Sequence, residues 1–115
     1  MSAVVLDRAF AALSDPTRRA AVEILRRGPT RAGDLARELG STPAGLSRHL
    51  RVLRDSGLVV ENISADDARV RLLELEREPF HALRGWVEEM ESFWSGQLSS
   101  FKAYAERTRR RRGRS

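Results

Sequence analysis

Apolar residues recur along this chain at two spacings, and the change from one to the other marks out its elements. Up to residue 57 the spacing is helical. In 3–13 (AVVLDRAFAAL) Val5, Leu6, Ala9, Phe10 and Leu13 form one stripe. Asp15 and Pro16 then read as the cap and first residue of a second helix, with Ala20, Ala21, Ile24 and Leu25 inward. It runs to Arg27 and ends at Gly28-Pro29. Thr30 reads as the cap of a third helix, RAGDLARELG, with Leu35 and Leu39 inward and Gly40 at its end. A fourth helix occupies 42–56. Thr42 or Ser41 caps it, Pro43 opens it, Leu46, Leu50 and Leu53 make its buried seam, and Gly57 stops it.

After Gly57 the period shortens to two. Residues 58–63 (LVVENI) are β-branched, 65–68 (ADDA) carry turn chemistry, and 69–76 (RVRLLELE) alternate charge with apolar residues over most of their length. This predicts a β-hairpin over 58–76. From Glu78-Pro79 to Arg107 the helical spacing returns, in Phe80, Leu83, Val87, Met90, Trp94, Leu98 and Phe101. Trp86, Phe93 and Tyr104 form a second strip. The predicted order is α-α-α-α-β-β-α: a mainly α chain with one small hairpin. The third and fourth helices, joined by a short glycine turn, make a helix-turn-helix, and the hairpin makes a wing beside it. One domain is expected over 1–107, with its core at about 15–76. Residues 108–115 read as a disordered basic tail.

Charge gives the fourth helix a chemistry. Opposite its leucines stand Ala44, Ser47, Arg48, Arg51 and Arg54. Small residues at a helix start permit close approach to the major groove of double-stranded DNA, and arginines reach guanine edges or phosphates. An ordinary solvated helix face has the same composition, so the neighbouring elements carry the distinction. The net charge of +5 does not carry it. Six arginines lie in 107–115, and residues 1–106 hold 15 basic and 16 acidic side chains. DNA affinity of the body must therefore come from local placement of charge. Arg51 and Arg54, with Arg18 or Arg19, are expected to hold phosphates, and Ser47 and Arg48 to read bases.

The last helix is too apolar for a monomer of this size. Its extra aromatic strip predicts pairing with the same helix, and with the first helix, of a second copy. Val5, Leu6, Phe10, Trp86, Met90, Phe93, Trp94 and Phe101 are the expected interface residues of this homodimer. Intramolecular packing of both strips is the competing reading.

The chain has no cysteine, which excludes disulfides and thiolate metal sites. Its start interrupts an apolar run with Asp7 and Arg8, so no signal peptide is expected, and no apolar run reaches membrane-spanning length. A cytoplasmic protein without membrane contact is expected. No Ser/His/Asp arrangement, phosphate-cradling loop or cysteine nucleophile supports an enzyme.

The run 12–59, ALSDPTRRAAVEILRRGPTRAGDLARELGSTPAGLSRHLRVLRDSGLV, resembles the winged-helix repressors of the ArsR (arsenical-resistance-operon repressor) family. The segments ALSDPTRR, DLARELG and SRHLRVLRDSGLV carry the match. The resemblance implies a homodimeric bacterial transcription repressor joined through its first and last helices. It implies that Thr42, Ala44, Ser47 and Arg48 face bases, and that the wing touches the minor groove or phosphates. Many members sense metals through thiols on the third helix or Asp/His sets on the last. Here the third helix reads GDLARELG, and the last has only His81. The sequence is therefore similar to the non-metal branch, with no cofactor and no identified small-molecule effector. His49, beside the leucine seam, reads as a packed or phosphate-touching residue. The wing tip departs from the basic pattern common in such wings, because Asp66 and Asp67 occupy it. Arg69 and Arg71 are expected to compensate from the strand.

Two other functions stay open at this stage. One is a nonspecific DNA-coating protein driven by the arginine tail. The other is a protein-interaction module using the aromatic helix.

Overall fold

A computed structural model describes residues 3–113; Met1, Ser2, Arg114 and Ser115 lie outside the described residues. The element order is α1 (Ala3–Leu13), α2 (Pro16–Leu25), α3 (Ala32–Glu38), α4 (Pro43–Asp55), β1 (Val59–Ile63), β2 (Arg71–Leu75) and α5 (Arg77–Gly113). The chain divides into two compact units at the Leu83–Arg84 boundary, where the sequence suggested one domain through residue 107. The reason is burial. Up to Leu83 every element gives side chains to a common core, and beyond it no described side chain is buried.

The core of the first unit is built from leucine and alanine. Leu25, Leu35, Leu46, Leu50, Leu53, Leu58, Val59 and Leu73 are buried together with Ala9, Ala12, Ala21 and Ala36. Each fully buried leucine contributes about 1.5–3 kcal/mol relative to exposure. The α1 stripe differs from expectation. Ala9 and Ala12 are its buried residues, Val5 and Leu6 are half-buried, and Phe10 is 41% exposed. Alanine lets the helix backbone approach its neighbours closely, so the contact face is the one with the small side chains.

Two turns place α4. At the end of α3, Gly40 takes φ +66°. Its N–H donates to Arg37 O at 3.1 Å, and the Ser41 N–H donates to Ala36 O at 2.8 Å, which closes the helix and reverses the chain. Thr42 then caps α4, its Oγ1 accepting from the Gly45 N–H at 3.0 Å, and Pro43 fills the first position. At the far end Gly57 takes φ +79° and donates to Arg54 O at 3.0 Å. The Ser56 hydroxyl satisfies Leu53 O at 2.8 Å.

The hairpin is antiparallel, with Val59 opposite Leu75 and Glu61 opposite Leu73. Its outer edge is not open. Thr30 pairs with Leu73 through both backbone hydrogen bonds, at 3.0 and 2.8 Å. Thr30 therefore does not cap α3, as the sequence suggested. Arg31 stands at the cap position without a side-chain cap bond. The competing demand came from β2, whose backbone groups needed a partner on that side. Residues 108–113, expected to be disordered, are the last turns of α5. Arginine is a good helix former, and the run holds no glycine or proline before Gly113.

Two glycine substitutions are expected to move stability in opposite directions. Gly57→Ala forces a left-handed residue and is expected to cost about 1–2 kcal/mol. Gly33→Ala lies inside α3 with open space around the added methyl, and is expected to stabilise by up to ~0.5–1 kcal/mol. Urea unfolding midpoints check both; two shifts of the same sign would contradict these backbone assignments.

Candidate nucleic-acid interface

The buried seam of α4 determines what its other side displays. With Leu46, Leu50 and Leu53 inward, Thr42, Ala44, Ser47, Arg48 and Arg51 are exposed. Arg48 and Arg51 have no ion-pair partner among the described residues. Small side chains at the helix start and two uncommitted guanidinium groups behind them form the outer face of the helix.

The remaining arginines expected at this surface are already engaged. Arg18 is half-buried and turns its guanidinium onto acceptors of the protein itself. Nε donates to Ala12 O at 2.6 Å and Nη2 to Ala11 O at 3.2 Å. Nη1 lies 3.2 Å from His49 Nδ1. Arg19 Nη1 donates to Leu13 O at 2.8 Å. The last carbonyls of α1 lack intrahelical donors, and these two arginines supply them together with Ser14, whose N–H and hydroxyl also donate to Ala11 O. Arg18, expected from the sequence as a phosphate ligand, thus ties α1 to α4. The sequence signal was present in its spacing, three residues after the Asp15 cap and beside the end of α1.

Asp15 completes this node. Its carboxylate accepts from the Arg18 N–H at 3.1 Å and lies 3.7 Å from His49 Nδ1. The Arg18 backbone hydrogen bond, aided by nearby His49 and Arg18 charge and opposed by partial desolvation, holds the Asp15 carboxyl below its ordinary value of 3.8. His49 is half-buried, so it packs against this node on the inner side of α4.

On the wing side, three more arginines face carboxylates. Arg54 Nη1 donates to Glu61 Oε2 at 2.6 Å, and Arg71 Nε lies 3.7 Å from Glu61 Oε1. At the tip, Asp67 Oδ1 accepts from the Arg69 N–H at 3.0 Å, and Arg69 Nε and Nη2 reach the carboxylate at 3.2 and 3.3 Å. Those Arg69 side-chain and backbone hydrogen bonds hold the Asp67 carboxyl below its usual range. Asp66 rests its N–H on Ser64 Oγ at 3.2 Å. Between α4 and the wing lies a concavity of about 260 Å³ lined in part by Ser47, Arg54, Glu61 and Arg71.

A mostly helical unit with a helix-turn-helix, a two-stranded wing and an exposed polar face on the second helix now stands complete. A family model described as "Bacterial regulatory protein, arsR family" matches residues 15–60. HTH-type transcriptional regulator Rv2034 of Mycobacterium tuberculosis is 37% identical over 95 residues, covering 83% of each chain. The chain belongs to the ArsR family. The crystal structure of an ArsR family transcriptional regulator superposes with a TM-score of 0.71 at 34% identity, covering 83% of this chain and 95% of that one. The transcriptional repressor SdpR of Bacillus subtilis is 32% identical over 57 residues, half of this chain and 63% of the repressor. This ArsR-family protein is thus a transcriptional regulator with a winged helix-turn-helix DNA-binding fold, and transcriptional regulators are a non-enzymatic class.

Among the described residues of this ArsR-family chain, no group of three or more His, Cys, Asp or Glu side chains is placed to hold a metal ion. No helix among them is long and apolar enough to cross a membrane. The residues expected at the dimer interface do not share one environment. Val5 and Leu6 are half-buried in the first unit, and Phe10 is exposed there. On the part of α5 beyond Leu83, Trp86, Met90, Phe93, Trp94 and Phe101 are all exposed, Phe93 and Trp94 by 62% and 64%.

The depressed Asp15 carboxyl has a signed consequence. A carboxyl lowered by folding stabilises the folded state fully above its unfolded value near 3.8, and the gain is lost as pH falls through the folded value. Asp15→Asn keeps a capping oxygen but removes the charge. Wild type is expected to melt above this variant at neutral pH, and the gap is expected to close as pH falls below 3.8. A gap independent of pH would place the effect elsewhere.

Proposed function

We propose that this protein is a homodimeric repressor that binds an inverted-repeat operator, with one α4 in the major groove of each half-site. The observation that carries the reading is the outer face of α4: exposed Thr42, Ala44, Ser47, Arg48 and Arg51, with two guanidinium groups uncommitted within the described chain. Ser47 and Arg48 read base edges, and Arg51 holds phosphate. The similarity to SdpR, a transcriptional repressor, supports repression as the mode of action.

The exposed aromatic strip of α5 supports the dimer. Phe93, Trp94, Leu98, Phe101 and Tyr104 are each more than 60% exposed or close to it. Continuous apolar surface of this kind marks an association site. A two-fold pair also supplies two recognition helices for half-sites about 34–36 Å apart. Trp94→Glu is expected to convert dimer to monomer in light scattering at micromolar concentration and to weaken promoter binding with it. A monomeric wild type would remove the dimer from the proposal.

The direct test uses the full chain and a 1–106 truncation, each titrated with its own upstream promoter DNA and a scrambled duplex at near-physiological salt. The expected result is a promoter preference of roughly 10³-fold or more that survives truncation. Equal binding to both duplexes, lost with the arginine-rich end, would replace the repressor by a charge-driven coating protein. Arg48→Ala is expected to cost ~1–3 kcal/mol and to relax preference at one base pair in each half-site. Uniform weakening across all sequences would reduce Arg48 to a phosphate contact.

A further inference from the structure

We propose that Glu61 is a specificity-determining residue that withholds Arg54 and Arg71 from the DNA backbone and so suppresses binding to non-operator sequence. The proposal rests on the reading of α4 and the wing as the DNA-binding face.

Glu61, Arg54 and Arg71 come from three different elements and meet at one concavity beside Ser47. Arg54 Nη1 is 2.6 Å from Glu61 Oε2, and Arg71 Nε is 3.7 Å from Glu61 Oε1. The Glu61 side chain is 29% exposed, against 41% for Arg54 and 69% for Arg71, so the carboxylate sits deeper than the cations it serves. Folding does not explain this arrangement. Exposed ion pairs contribute only about 0–1 kcal/mol, and the hairpin is already held by its backbone ladder, by buried Val59 and Leu73 and by the Thr30 pairing.

Its consequence is electrostatic. A phosphate approaching this groove meets a carboxylate that is hydrogen-bonded to Arg54 and lies within ion-pair distance of Arg71, so it competes with that carboxylate for both cations. Nonspecific affinity grows with the number of phosphates neutralised, each adding about one to the salt dependence. Removing two cations from that count weakens binding to every sequence and leaves the base-reading face of α4 untouched. Asp67 treats Arg69 in the same way at the tip. Of the five arginines on α4 and the wing, three are thereby committed, and Arg48 and Arg51 alone lack an ion-pair partner among the described residues.

The experiment titrates wild type, Glu61→Gln and the triple variant Glu61→Gln/Arg54→Gln/Arg71→Gln with promoter and scrambled duplexes between about 0.05 and 0.2 M salt. Glu61→Gln is expected to bind scrambled DNA roughly tenfold more tightly at the low-salt end, with a log–log salt slope steeper by about one to two. Promoter binding is expected to change less, so discrimination falls. The triple variant is expected to return to wild-type scrambled binding.

An unchanged slope overturns the proposal, as does a gain that persists in the triple variant. Weaker promoter binding with scrambled binding unchanged also overturns it, because Glu61 would then be an operator contact. If Glu61→Gln does not fold, Arg54→Gln/Arg71→Gln in the wild-type background tests the same point. It is expected to weaken scrambled binding less than Arg48→Gln/Arg51→Gln does, and equal weakening overturns the proposal. Wild type that separates promoter from scrambled DNA while Glu61→Gln behaves identically removes this proposal alone. Wild type that binds neither duplex removes the repressor reading and this proposal with it.

Discussion

Burial of one leucine stripe on α4 is the constraint on which the outward surface of that helix depends. Leu46, Leu50 and Leu53 lock that helix against Leu25, Leu35, Leu58, Val59 and Leu73. With that stripe buried, Ala44, Ser47, Arg48 and Arg51 fall on the other side of the helix and are exposed. The turns at either end then set its direction. Gly40 and Gly57 both adopt left-handed backbone, and Thr42 with Pro43 starts the helix at a defined residue. A one-residue shift of the stripe would rotate the outward face by about 100° and display other residues there.

Arginine does two different jobs in this fold, and composition does not separate them. Arg18 and Arg19 satisfy the carbonyl end of α1, and Arg18 also ties that end to His49 on α4. Arg54, Arg69 and Arg71 lie on the wing side of α4 and face carboxylates. Residues 1–106 hold 15 basic and 16 acidic side chains, so the net charge of that stretch is close to zero. In the proposed repressor, such a surface gains little from charge alone, and affinity rests on how well a few uncommitted groups match the DNA they meet.

The two units of the chain illustrate what burial does. The first closes a core of leucines and alanines and needs no partner for them. The second is the remainder of α5, where Phe93, Trp94, Leu98 and Phe101 are exposed on a helix without a core of its own. Long helices gain most of their stability from packing an apolar face. Association is the cover proposed for such a surface, so the proposed dimer and the proposed DNA reading belong to one account.

The local signals of this sequence determined the elements themselves. Helical and strand periods, the Asp15 and Thr42 caps, Pro16, Pro43 and the stop glycines are short-range features, and each acts through backbone geometry within a few residues. The leucine seam of α4 was legible for the same reason, and with it the exposed face opposite. What only the tertiary structure decided are the partners of long polar side chains and of open backbone edges. Thr30 looked like a cap and became a sheet partner of Leu73, because β2 offered two backbone bonds across a long sequence separation. Arg18 read as a phosphate ligand, and its role as a helix-end donor was not read from the sequence, because the carbonyls of α1 arrive beside it only after folding. Glu61 drew no notice in the strand pattern, since its role depends on Arg54 and Arg71 converging from two other elements. Short-range periodicity carries the backbone path, whereas a guanidinium or carboxylate reaches several ångströms, and its partner is chosen by whatever the fold brings within that reach.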